Sequence, residues 1–298
     1  MPLTEEASAE RLKAHVVKLA REIGERNVFN PQALHDAADY IAAEWHTQGY
    51  QVIPYSYRVE GVDCANLEIT RRGQRRPEEF LLIGAHYDSV IGSPGANDNG
   101  SGVAALLELS RLFTQLTPDI SVRFVAFVNE EPPFFMWQQM GSLVYAKMAR
   151  GRGDKILLMA SLETMGYFRG ERGSQRYPPL FRALHPDRGD FIAFVSNLGS
   201  RRLMRRAAAA FRAHSDFPLE QTATLAFVPG VAWSDHFSFW RQRYRAFMVT
   251  DTAFYRYPYY HTAHDTPEKL DYASLAQVTR GLFQSFAALA GHDPAYAL

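Results

Sequence analysis

The stretch that decides the fold is residues 81–102, "LLIGAHYDSVIGSPGANDNGSG". It opens as a continuous apolar run, as expected of a strand covered on both faces of its sheet. It runs into "SGVAALLELSRLFTQL", whose apolar spacing predicts a helix. Between strand and helix stand His86, Asp88 and Asp98, set among asparagines and glycines. In an open α/β sheet, ligands bind outside the carboxyl ends of the strands, where these residues lie.

Working outward, further strands are predicted in "QVIPYSYRV", "ANLEITRR", "SVRFVAFVNEE", "KILLMASLETMG" and "RAFMVTD". Helices are predicted in "TEEASAERLKAHVVKLAREIG" and "GSLVYAKMARG", over about residues 200–214, and from about Pro267 to Ala290. "NPQALHDAADYIAAEWHTQGY" reads as another helix, with Asn30 as N-cap, Pro31 at its first position and Gly49 as its stop. Residues 167–190, rich in Gly, Pro and Arg, read as a long surface loop. Strands alternating with helices predict one α/β domain over residues 1–298, a mixed, mainly parallel twisted sheet with helices on both faces.

The chain has 298 residues and is 47% hydrophobic, enough for a sizeable core. Lys plus Arg and Asp plus Glu are both 32, and this balance argues against nucleic acid or an anionic membrane as partner. Cys64 is the only cysteine, which excludes an intrachain disulfide. "MPLTEEASAERLKAH" lacks the apolar segment of a signal peptide. No apolar run nears the roughly 20 residues of a membrane span. The expectation is a soluble, cytoplasmic protein.

Three predicted strands end in metal-type groups: His86 with Asp88, then Glu130 with Glu131, then Glu163. The glycine-rich turn adds Asp98, and "YYHTAHDTPEKL" near the C-terminus offers a further histidine. Histidine and carboxylate suit zinc and its neighbours, and a carboxylate can bridge two ions. Three ligand carboxylates and one hydroxide would balance two zinc ions, with Asp98 as the bridge. An adjacent Glu pair is commonly a solvated surface feature. Here it follows the apolar "VRFVAFVN", where unpaired carboxylates are costly. The remaining histidines, His236 apart, lack this context and read as structural or surface.

These residues resemble the M28 family of zinc peptidases, which includes two-zinc aminopeptidases. The matching pieces are "AHYDS", "GANDNGSG", "NEE" followed by "GSLVYA", "SLETMGY", "SDHFSF" and "YYHTAHDT", in family order over residues 80–270. The resemblance implies a single α/β domain around a mixed eight-stranded sheet, with two zinc ions at its edge. Carried over residue by residue, His86, Asp98 and Glu163 would hold one ion, and Asp98, Glu131 and His261 the other. Glu130 would be the general base and acid. Asp88 would hydrogen-bond the free nitrogen of His86. The family pattern selects His261 over His264, because the ligand directly precedes Thr262.

Two features depart from the family. It usually has Asp where Glu163 stands. The segment after the Glu pair reads "PPFFMWQQMGS" where glycine and small or aliphatic residues are usual. "SDHFSF" resembles an element beside the active site, where His236 would bond the tetrahedral intermediate; a structural histidine is the alternative. "TAFYRYPYY" puts Tyr255, Tyr257, Tyr259 and Tyr260 just before His261, where they would wall a substrate pocket or cover the sheet edge; Tyr255, Tyr257 and Phe134 are the candidate substrate contacts. Arg169, Arg172 and Arg176 keep a carboxypeptidase or dipeptidase open.

The leading expectation is a metal-dependent exopeptidase, an aminopeptidase acting on a peptide or small amide. A glutaminyl-cyclase-like zinc acyltransferase and a metal-free binding domain on the same fold are the alternatives.

Overall fold

The computed structural model describes residues 5–178 and 185–298. In chain order these form α1 (Glu5–Val17), α2 (Pro31–Thr47), β1 (Ile53–Val59), β2 (Val62–Arg71), β3 (Arg76–His86), α3 (Gly102–Phe113), β4 (Ile120–Phe127), α4 (Gly141–Arg152), β5 (Lys155–Glu163), β6 (Ile192–Asn197), α5 (Arg201–His214), β7 (Leu219–Thr224), α6 (His236–Arg241), β8 (Ala246–Thr250) and α7 (Tyr272–Ala287). One eight-stranded sheet runs in the order β1-β2-β4-β3-β5-β8-β6-β7. Its centre, from β4 through β3 and β5 to β8, is parallel; β1, β2 and the β6–β8 contact are antiparallel.

The strand period assigns the core. Leu81, Ile83 and Ala85 of β3, with Val122, Phe124 and Ala126 of β4, face the larger core. It is closed by α1, α2, α3, α5 and α7, as Leu12, Ile41, Leu106, Phe211 and Leu282 show. The alternate residues Leu82, Val125 and Phe127 face a smaller core with Tyr145 and Ala146 of α4 and Phe239 of α6. Both faces are covered, so the inner stretches of the central strands are mainly apolar. Among the described residues no helix is long and apolar enough to cross a membrane.

The chain leaves β3 through α3 to reach β4 on one side, then returns through α4 to β5 on the other. β3 is therefore a topological switch point, and a crevice opens at its carboxyl end.

The six expected strands and the helix at about 200–214 form. β6 and β7 escaped the sequence reading. The last helix starts later than expected: Pro267–Lys269 makes a single 3-10 turn, and α7 begins after Asp271, which accepts the Ser274 amide as N-cap. The predicted loop at 167–190 is irregular in its described part, apart from one bridge between Arg169 and Gly189; its residues 179–184 lie outside the described residues.

Candidate metal centre

His86 is the last residue of β3, Glu130 and Glu131 follow β4, and Glu163 ends β5. Asp98 sits in the turn before α3, and His261 in the segment after β8. Non-glycine residues with positive φ mark these exits: Asn129 at 58°, Thr164 at 45° and His261 itself at 58°. Such backbone is held only where its surroundings over-determine it.

The structure gathers these groups into two triads, His86–Asp98–Glu163 and Asp98–Glu131–His261, the ligand atoms of each lying within 4.8 Å of one another. Asp98 belongs to both. Its Oδ1 is 3.3 Å from His86 Nε2, and its Oδ2 is 3.1 Å from His261 Nε2. Glu163 Oε2 lies 3.3 Å from His86 Nε2, and Glu131 Oε2 lies 3.2 Å from His261 Nε2. Glu130 stands outside both triads, with Oε2 3.8 Å from His86 Nε2. His264, passed over in favour of His261, is exposed and in neither triad.

The Asp88 carboxylate accepts the backbone N–H groups of Glu130 and Glu131, each at 3.1 Å. One of its oxygens is 3.4 Å from His86 Nδ1, and its carbonyl oxygen is 3.2 Å from the same nitrogen. Asp88 thus orients the imidazole from behind and fixes the Glu pair on the neighbouring strand.

The asparagines of the opening stretch fasten the Asp98 turn. The Asn99 side chain donates to Leu162 O at 2.8 Å and accepts from Thr164 N at 3.1 Å, gripping β5 on both sides of Glu163. Asn97 donates to Asp251 and accepts from Gly166 N. Asp265 accepts the backbone N–H groups of Asn97 and Asp98 at 2.8 and 3.1 Å, and the Tyr257 hydroxyl at 2.7 Å.

The electrostatics call for cations. Burial pushes the Glu130, Glu131 and Glu163 carboxyls up, and neighbouring carboxylates push the same way; Glu131 reaches about 8. Burial would raise Asp98 too, but His261 and His86 outweigh it and hold it well below the usual range. Burial opposes charge on His261, yet Asp98 and Glu131 raise it to about 10. His86 Nε2, Asp98 Oδ1 and His261 Nε2 are buried atoms without a hydrogen-bond partner. Orphaned nitrogen and oxygen atoms aimed at one another fit a metal, and this N/O donor set suits zinc. Three protein donors per ion is the number that catalytic zinc sites use, the remaining position being left to water or substrate.

The other expected contacts divide. His236 is fully buried, its Nε2 2.8 Å from the Val231 carbonyl and its ring edge-on to Trp240. Burial lowers it to about 4, so it is a neutral core imidazole and is not brought to the triads. Tyr257 is 2% exposed, donates to Asp265 and is not among the residues lining the pocket beside Glu163. Phe134 is buried against Phe29, and its backbone N–H donates to Glu131 O at 3.0 Å. Tyr255 does line a pocket.

That pocket, about 110 Å³, opens beside Glu163. Strand register lays its floor: Glu163 pairs Thr250, Met248 pairs Val195, and Ala193 and Val195 pair Glu220 and Thr222. Phe191, Val231, Trp233 and Phe254 wall it. Tyr260, another of the tyrosines that the sequence places just before His261, lines the same pocket and stacks on His261 with ring centroids 3.9 Å apart. Burial, with Asp98, Glu131, Glu163 and Glu130 around it, raises the phenol well above its ordinary value, so it remains a donor.

A model of peptidase family M28 matches residues 66–285. The chain belongs to peptidase family M28. The uncharacterized protein YfbL of Escherichia coli strain K12 is similar at 38% identity over 285 residues, covering 93% of this chain and 87% of that protein. The solved structure of BSAP, a zinc aminopeptidase from Bacillus subtilis, superposes with a TM-score of 0.75 at 15% identity, over 93% of this M28 peptidase and 94% of that chain. Fimbriiglobus ruber glutaminyl cyclase superposes with a TM-score of 0.68 at 19% identity, over 96% and 95%. At these identities the structural likeness is one of fold.

Proposed function

We propose that this M28 peptidase is a two-zinc aminopeptidase that releases apolar N-terminal residues. The observation that carries the reading is the sharing of Asp98, whose two carboxylate oxygens serve two histidines in two triads. His86, Asp98 and Glu163 would hold one ion, and Asp98, Glu131 and His261 the other. When bound, zinc supplies Lewis acidity to the scissile carbonyl and acidifies water.

The chain's own residues do the rest. Glu130, buried and unneeded as a ligand, takes a proton from the attacking water and returns it to the leaving amine. Its raised pKa suits a group that must both take and give a proton. The Tyr260 phenol donates toward the carbonyl oxygen as charge develops there. Glu163 and Glu130 attract the substrate ammonium, which favours a free amino end over a free carboxylate. An engineered cavity of about 150 Å³ takes a benzene ring. A pocket of about 110 Å³ suits a Leu or Met side chain better than an indole.

The test measures zinc per chain and amino-acid release from peptides with free or acetylated N-termini. Two zinc ions and release of Leu only from the free peptide are expected. Equal cleavage of the acetylated peptide removes the aminopeptidase reading and leaves the zinc hydrolase. Cyclisation of N-terminal Gln without amino-acid release puts glutaminyl cyclase chemistry in its place.

A further inference from the structure

We infer that Arg26 is a positioning residue of the metal centre, setting the separation of His86 and Asp98; the inference rests on the metal reading above. Arg26 follows the end of the first helical segment and is 0% exposed. Its Nε donates to Tyr87 O at 2.6 Å, Nη1 to Pro94 O at 2.6 Å, and Nη2 to Gly95 O at 2.8 Å. Nη1 also reaches Gly24 O at 3.1 Å and Leu19 O at 3.4 Å. Its backbone exchanges bonds with Ser89: Arg26 N donates to Ser89 Oγ, and Ser89 N to Arg26 O.

The pattern is selective. Tyr87 directly follows His86, and Gly95 comes shortly before Asp98. One planar fork therefore grips both ends of the loop that separates two ligands. Gly95 is the counterpart of this grip: its φ is +63°, and a Cβ there would meet Ser89 Cβ at 2.6 Å and Arg26 Nη2 at 3.1 Å. The side-chain hydrogen bonds of Arg26 all go to carbonyls, so a buried charge is retained without a bonded carboxylate. Such burial is costly. Asp88, Asp265, Asp98 and Glu131 favour the charge from a distance. The guanidinium thus bonds none of the ligand carboxylates. A lysine keeps the charge but cannot reproduce the fork.

The test compares wild type, Arg26→Lys and a control, Leu282→Ala, a core truncation in α7. Zinc affinity is read by competition with a fluorescent chelator, coordination by the absorption of the cobalt-loaded protein, and folding by thermal unfolding. Arg26→Lys is expected to melt cooperatively, bind zinc roughly 10–100-fold more weakly and shift the cobalt spectrum. Leu282→Ala is expected to melt lower with affinity and spectrum unchanged. Arg26→Lys with wild-type affinity and spectrum overturns the inference. If Arg26→Lys does not fold alone, recovery of a cooperative melt on adding zinc supports it, because metal then sets the loop in place of the fork. A chain still unfolded in excess zinc overturns it. A wild-type protein that binds no zinc defeats the metal reading instead.

Discussion

Replacing Glu130 by Gln separates chemistry from metal binding. Gln is nearly the same size, so the buried position keeps its packing, and the backbone N–H stays on Asp88. What is lost is the ability to take and return a proton. A missing general base costs about 10²–10⁴ in rate, or about 2.7–5.4 kcal/mol at 1.36 kcal/mol per decade. Glu130 lies outside both triads, so no ligand is removed. Zinc content should therefore equal wild type after dialysis against metal-free buffer, while kcat on a Leu-initiated peptide falls by that factor. Glu131→Gln is the contrast. Its Oε1 accepts Val90 N at 3.1 Å, and its Oε2 points at His261. An amide there keeps an oxygen for only one of these roles, so zinc should fall by one ion per chain. The reasoning fails if Glu130→Gln loses an ion while Glu131→Gln keeps both, for then the neighbouring carboxylates have exchanged roles.

Three further outcomes are expected. His264→Ala should keep wild-type zinc content, and His261→Ala should lose an ion; the reverse result would reassign the ligand. Leu-initiated peptides should be released at least about tenfold faster than Asp-initiated ones, since each buried CH₂ contributes about 0.8 kcal/mol. Val195→Ala should shift the preference toward Phe and Trp by deepening the floor, and an unchanged ratio would detach this pocket from specificity. Zinc affinity should rise with pH between 6 and 8. Metal-free, His261 and Glu131 both have raised pKa values, so at neutral pH they hold at least one proton that zinc must displace. Affinity then gains about tenfold per pH unit for each proton displaced. Titration calorimetry in buffers of different ionisation enthalpy measures this directly, and a flat profile contradicts it.

The sequence made the candidate ligands legible where chemistry is local. His86 and Glu163 end apolar strands, and Asp98 lies in a glycine-rich turn, so strand, turn and helix signals mark them without tertiary knowledge. His261 is different. It stands in an irregular segment, and only the family pattern separated it from His264. β6 and β7 were missed because neither carries a strong period: β6 is six residues long, and β7, "LEQTAT", is a polar edge strand. Missing them hid the pocket, because its floor exists only through the register of β5, β8, β6 and β7.

Tyr257 and His236 show why residue type and position in a motif fall short of function. Both stand in segments that resemble active-site elements, yet both are used inward. Tyr257 holds Asp265, and Asp265 holds the Asp98 backbone, across a separation of 167 residues. The bridge geometry is therefore a tertiary property. Asp98 can serve two histidines only if its turn is fixed against β5 by Asn99, against the C-terminal segment by Asp265, and from below by Arg26. Each of these is a side chain bonded to distant backbone, an interaction that leaves no periodicity and no spacing to read. The acidic groups mark the site in sequence; the amide, carboxylate and guanidinium clamps, silent in sequence, hold Asp98 where both triads share it.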